Sequence, residues 1–139
     1  MKTNVELIST RVYAGRLKDR ENLNNSSSGG AFTALSDFFL KNGNAVVAAI
    51  YNYENHTTEF QMILDKDQRE RAKGSKYMQS KPGGIFREAY RWLMDNSGKK
   101  MLFVGMGCQS DGFRKFSEIK EIRDRVYIVD IICHGSPSP

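Results

Sequence analysis

Cys108, Cys133 and His134 are the residues in this sequence best suited to nucleophilic, redox or metal chemistry, and each follows closely on an apolar run. Cys108 stands in Gly105-Met106-Gly107-Cys108-Gln109, directly after the run at 101–105, and Cys133-His134-Gly135 follows the run at 126–132. Three chemistries are open to such a pair of loops. In the first, Gly105 and Gly107 ahead of a helix cradle a phosphate, because glycine lets N–H groups approach the oxygens and the helix end favours an anion. Ser110, however, occupies the place of the third glycine in a dinucleotide fingerprint. In the second, Cys108 is the nucleophile of a Cys–His hydrolase or transferase with His134 as its base, although Met106 is bulky for such an elbow. In the third, Cys108 and Cys133 ligate a metal or an iron–sulfur cluster. Two thiolates and one imidazole are fewer than a closed site needs, so further ligands would come from outside this chain.

The elements that must position these groups read as α/β. Ala31, Phe32, Leu35, Phe38 and Phe39 recur at helical spacing and predict a helix near 30–42, with Ser27 and Ser28 at its entrance and Gly43 after its end. Apolar residues 45–51 predict a strand, 52–56 a polar turn, and 57–64 an alternating strand. His56, in that turn, is expected at the surface. Asp65 is placed to cap a short helix ending before Gly74. A second strong helix is expected at 85–96, burying Phe86, Ala89, Tyr90 and Leu93. The chain then reads strand 101–105, helix from Ser110, strand 126–132. That order predicts a mixed sheet with a parallel βαβ unit, covered by helices on both faces, in a single α/β domain over 1–139. Ligands of such sheets bind beyond the carboxyl ends of the strands, so Cys108, Gln109, Cys133 and His134 are expected on one edge.

The totals narrow the classes. The 139 residues are 40% hydrophobic and 27% charged, which suits an ordered globular chain. No apolar run approaches the ~20 residues of a membrane helix, and the first ten residues lack the apolar stretch of a signal peptide. Two cysteines do not make a disulfide framework, so a reducing cytoplasm is expected. The net charge of +5 is densest at Lys66, Arg69, Arg71, Lys73 and Lys76. That stretch reads as a solvated helix face or as a site for a polyanionic ligand such as a dinucleotide. Nucleic acid is not expected as a partner, since no recognition motif accompanies the charge.

Four blocks then stand in order: Ser27-Ser28-Gly29-Gly30-Ala31-Phe32, Gly74-Ser75-Lys76-Tyr77-Met78-Gln79-Ser80, Gly105-Met106-Gly107-Cys108-Gln109 and Cys133-His134-Gly135-Ser136-Pro137-Ser138-Pro139. Together they resemble the beta subunit family of coenzyme F420 hydrogenases and dehydrogenases, the deazaflavin-reducing iron–sulfur flavoproteins. Family blocks read Ser-Ser-Gly-Gly-x-Phe, Gly-Ser-Lys-Tyr-Val-Gln-Ser, Gly-Thr-Pro-Cys-Gln and Cys-His-Gly-x-Pro-Ser-Pro. Here Met106-Gly107 replaces the Thr-Pro pair, which removes a hydroxyl and stiffness from the loop.

The resemblance implies a flavin-binding module of an oxidoreductase, passing electrons between iron–sulfur partners, FAD and a deazaflavin-type or other soluble acceptor. It implies phosphate or flavin contacts from Ser27, Ser28, Gly29, Gly30, Lys76 and Gln109. Cys108, Cys133 and His134 would line the redox site, the two thiols also serving as cluster ligands. A ferredoxin-like domain or subunit is the implied partner, and homo-oligomerisation is open to it. Ser27 and Ser28 have the ordinary alternative of capping the helix, and Lys76 that of surface charge. The family's clustered-cysteine segment and its long region beyond the Cys-His-Gly block are not in this sequence. Residues 1–139 are therefore expected to be a truncated part of the catalytic region, with Pro137 and Pro139 opening a further loop and helix. The rival expectation is a non-enzymatic, degenerate domain that binds a partner or nucleotide.

Overall fold

A computed structural model of the chain describes residues 11–135; the Ser136–Pro139 end of the fourth block lies outside the described residues. In chain order the elements are helix α1 (Arg20–Asn24), helix α2 (Ala31–Lys41), strands β1 (Ala45–Asn52) and β2 (Thr57–Ile63), helix α3 (Lys66–Ala72) and strand β3 (Ser80–Lys81). Helix α4 (Ile85–Asp95), strand β4 (Met101–Met106), helix α5 (Gly107–Ile119) and strand β5 (Val126–Ile131) follow, with a 3-10 turn at Arg123–Arg125 before β5. The sheet order is β3-β2-β1-β4-β5. Only the β1–β2 hairpin is antiparallel; β3 on β2, β1 on β4 and β4 on β5 are parallel. This is the expected α/β class, with β4–α5–β5 as its parallel crossover unit.

Alternation along β1 and β4 sends side chains into two cores. Ala45, Val47, Met101 and Phe103 face α4 and α5, where they meet Ala89, Leu93 and Phe113. Val46, Ala48, Leu102 and Val104 face α2 and α3, meeting Phe39 and Ala72. The α4/α5 side is braced by a run of rings. Phe103 lies between Phe60 and Phe113, with centroids at 5.3 and 4.5 Å. No helix among the described residues is long and apolar enough to cross a membrane.

Four expectations are corrected. The strand before Cys133 is not covered on both faces: β5 is the sheet's edge, and Tyr127 and Ile131 are about half exposed. An apolar run does not itself say whether a neighbour lies beyond it. Helix α5 begins at Gly107 rather than Ser110, so Cys108 sits in its first turn and not in a loop. The buried stripe of α4 is Ile85, Ala89 and Leu93, with Phe86 and Tyr90 only partly buried. The basic stretch is not simply a solvated face. Arg69 is 2% exposed and pairs with Asp37 of α2 and with Glu70, both at 3.0 Å, while Lys73 pairs with Glu70 at 2.8 Å.

Candidate functional site

The sequence of α2's entrance builds an uncapped helix end. Asp19 starts α1 by accepting the backbone N–H of Glu21 at 2.9 Å and of Asn22 at 3.1 Å. After α1 the chain turns sharply, with Ser28 at φ 56° and Gly30 at φ 75°. Gly30, not Ser27 or Ser28, is the N-cap of α2, and no side chain closes that end. The glycines are required by the preceding segment, whose Leu17 N–H donates to the Gly29 carbonyl at 2.9 Å. A Cβ on Gly29 would lie 2.5 Å from the Gly15 carbonyl oxygen, and one on Gly30 within 2.4 Å of Leu17 Cδ1. Ser26 ties the turn to the helix, donating to the Asn22 carbonyl at 2.6 Å and meeting the Thr33 hydroxyl at 2.9 Å.

That helix end opens on a cavity of about 580 Å³ at the carboxyl ends of the parallel strands. Such a volume is within the ~300–1,000 Å³ usual for small-molecule sites. The walls are apolar at Phe32, Phe60, Val104 and Val129, and residues 73–78 between α3 and β3 close one side. Ile131 to Gly135, from the last residue of β5 onward, form part of the rim. The hydrogen-bond donors at a helix N-terminus and its positive dipole end favour an anion in such a place.

Of the residues singled out in the sequence, Ser27, Gly30, Lys76, Gln109, Cys133 and His134 line this one cavity; Ser28, Gly29 and Cys108 do not. Lys76 is held inward. Its ammonium donates to the carbonyls of Ala72, Lys73 and Gly74 at 2.5, 2.9 and 3.0 Å, finishing the C-terminus of α3. Burial pushes its pKa down to about 8, so Lys76 is not the free surface charge that sequence alone allowed. Gln109 is engaged at both ends of its amide. Its oxygen accepts the Met106 N–H at 3.0 Å and its nitrogen donates to the Ser80 carbonyl at 3.4 Å.

Cys108 and Cys133 are both exposed and unpaired. Cys133 Sγ accepts the Gly135 N–H at 3.3 Å. Because Cys108 is outside the cavity that His134 lines, the nucleophile-elbow pairing does not assemble there. Nor does the glycine cradle: Gly105 lies within β4, paired with Asp130, and a Cβ there would meet Phe103 and Gln109. Among the described residues no group of three or more His, Cys, Asp and Glu side chains is placed to hold a metal ion. His56 is exposed in the hairpin turn as expected, its Nδ1 2.9 Å from the Tyr51 hydroxyl.

Sequence reasoning named Lys73 only in the basic stretch and Tyr77 and Met78 only in the second block, and missed Phe60 as a cavity residue. The first three flank Lys76 and were within reach of a motif reading. Phe60 was not, since nothing local says which end of β2 meets a cavity.

The sequence profile of the coenzyme F420 hydrogenase/dehydrogenase, beta subunit N-terminal family matches residues 12–83, just over half of the chain. That segment holds the first two of the four blocks. No curated protein matches the sequence. The fold superposes with a TM-score of 0.69 on a chain from a xenon-derivatised structure of the F420-reducing nickel–iron hydrogenase complex of Methanosarcina barkeri. The two are 23% identical, a likeness of fold, and the superposition covers 85% of this chain and 42% of that one.

Proposed function

The chain belongs to the coenzyme F420 hydrogenase/dehydrogenase beta-subunit family, and from that premise we propose that its cavity is the flavin site of an oxidoreductase. One observation carries the proposal: the uncapped N-terminus of α2, with Ser27 and Gly30, opens into an apolar-walled cavity at the carboxyl ends of the parallel strands β4 and β5. The residues present suit FAD. The helix end and the Ser27 hydroxyl offer donors to a diphosphate, and Phe32, Phe60 and Val104 offer the dry, flat surroundings that a ring system needs. When bound, a flavin supplies the hydride and single-electron steps that side chains lack.

The chain's own task is then to bind, orient and exclude water. Lys76 places positive charge beside the diphosphate without leaving α3. His134, exposed at the rim, can take or give a proton at a ring nitrogen, and Cys133 beside it lines the approach. An iron–sulfur cluster on Cys108 or Cys133 would need ligands from outside the described residues, among which no group of three or more His, Cys, Asp and Glu side chains is placed to hold a metal ion. The one-electron partner in this proposal is therefore a separate ferredoxin-like domain or subunit, and the two-electron partner a deazaflavin-type or other soluble acceptor in the cytoplasm.

The test is an absorbance spectrum of the purified chain, then an equilibrium titration with FAD. Flavin bands that survive desalting, or saturable binding in the micromolar range, are the expected result. No retained flavin and no saturation up to ~1 mM, a binding free energy weaker than ~4 kcal/mol, overturns the proposal for this chain.

A further inference from the structure

We infer that Gln109 is a positioning residue: its amide is a strut that sets the width of the cavity by tying the start of α5 to strand β3. The inference rests on the cavity's being the binding site, but the strut itself is a property of the chain without ligand. Three observations carry it.

First, both ends of the amide are used, one by a donor and one by an acceptor. The Met106 N–H requires the amide oxygen, and the Ser80 carbonyl requires the amide nitrogen. The orientation of the side chain is thereby fixed, whichever way an amide might otherwise be turned. A residue arranged to contact a ligand would leave its oxygen for the cavity; here that oxygen closes the first turn of α5 instead.

Second, the partner needs an anchor. Strand β3 is only two residues long, held by the pairs Thr58–Ser80 and Glu59–Lys81 at the sheet's edge. It follows closely on the 73–78 stretch that forms one wall of the cavity. A two-residue strand adds little cooperative stability, so the long-range bond from Gln109, at 3.4 Å, adds to the ladder pairs at this end of the wall while the Lys76 ammonium ties the other end. Ser80 is nonetheless buried, at 7% exposure.

Third, the residue beside the folded-back glutamine is one that leaves it room. A Cβ at Gly105 would stand 3.3 Å from Gln109 Oε1 and 3.4 Å from its Cβ, and 2.9 Å from the Phe103 ring. Glycine at 105 thus makes room for the folded-back glutamine and for the core ring on its other side. Gly105, Met106, Gln109 and Ser80 all line the cavity, so movement of the strut changes the space that a ligand meets.

The experiment compares the full chain with Gln109→Met and Gln109→Glu. Amide hydrogen exchange on the ligand-free proteins is read first. Gln109→Met, close in volume but without either bond, should speed exchange over residues 73–81 at least tenfold while the β1 and β4 cores stay protected. Gln109→Glu keeps the acceptor for Met106 but, as a carboxylate, cannot donate to Ser80. Its protection, taken relative to wild type at each pH so that the intrinsic slowing of amide exchange in acid cancels, should therefore be low at pH 7 and return as the pH falls through the carboxyl range, where the protonated acid regains a donor. Rescue by pH is a signature that a merely space-filling role would not give.

FAD affinity is read second, with about tenfold weakening expected for Gln109→Met at pH 7. Unchanged exchange at 73–81 in Gln109→Met, or Gln109→Glu without pH rescue, overturns the strut. If wild-type chain binds no FAD while the exchange pattern appears as expected, the strut stands and the flavin reading fails.

Discussion

At the scale of single residues, the most informative side chain is Lys76, because its geometry and its charge pull in different directions. Three backbone carbonyls hold its ammonium at the end of α3, yet burial lowers its pKa from 10.5 to about 8. A diphosphate in the cavity favours the protonated lysine, so the bound state should hold that proton to higher pH than the free chain. The sign follows from this linkage. Affinity for FAD is fully present below pH 8 and declines above it, by up to tenfold per pH unit until the bound-state pKa is reached. Lys76→Arg stays charged throughout and should flatten the profile between pH 7 and 9.5, even if its bulkier head weakens binding overall. Titrations of both proteins across that range check it. A wild-type profile that is flat, or one that Lys76→Arg leaves just as steep, removes Lys76 from the anion's surroundings. None of this could be read from the motif alone. Gly-Ser-Lys-Tyr announces a lysine near a turn, but the carbonyls it meets are fixed only once α3 has formed.

At the scale of elements, the parts that the sequence made legible are those whose signal is local and repeated. β1 and β4 are apolar on both faces because both faces are covered, and α2 shows its periodicity without help. Two of the misreadings depended on what lies, or does not lie, beside the segment from elsewhere in the sequence. Arg69 is buried because Asp37 comes to it from α2, and the run at 126–131 is only partly covered, with Tyr127 and Ile131 about half exposed, on a strand at the sheet edge. The early start of α5 follows from Gln109 reaching back to the Met106 N–H, a cap made by an amide rather than by the serine or aspartate usually sought. Arg125 is the strongest case of such a distant tie. Its guanidinium, just ahead of β5, donates to the carbonyls of Leu93 and Asn96, both at 2.7 Å, and of Lys99 at 2.9 Å. It therefore closes the C-terminus of α4 and locks the α4–β4 turn to the entrance of β5. Arg125→Ala should cost about 2–3 kcal/mol, since it strands three partly buried acceptors. Arg125→Lys should restore less than half of that, because a point-like ammonium cannot span three separated carbonyls. Urea unfolding measures both; a loss under ~0.5 kcal/mol for the alanine variant would show that water replaces the guanidinium freely.

At the scale of the whole molecule, the candidate site is not a property of any one motif. Its walls come from the turn before α2, the stretch between α3 and β3, the β4–α5 junction and the tail of β5, brought together only by the order β3-β2-β1-β4-β5. The topology dictates this: β1, β4 and β5 run parallel, so their carboxyl ends share an edge, and the two crossovers deliver helix ends and loops to it. The family match, at 12–83, covers the α2 and α3 side of that cavity, while Cys133 and His134 lie on the other side and Cys108, in the first turn of α5, does not line it. A ligand held by one side alone and a ligand seated in the cavity can be told apart. If FAD occupies the cavity, amide exchange should slow together in four stretches distant in sequence, at 26–33, 73–80, 104–109 and 129–135, with the β1–β2 turn unaffected. The slowing should rise with FAD along one saturation curve, because a single event protects all four. Protection confined to 26–33 and 73–80 would instead place the molecule on the α2 helix end, outside the cavity, and would leave Cys133 and His134 with no part in its chemistry.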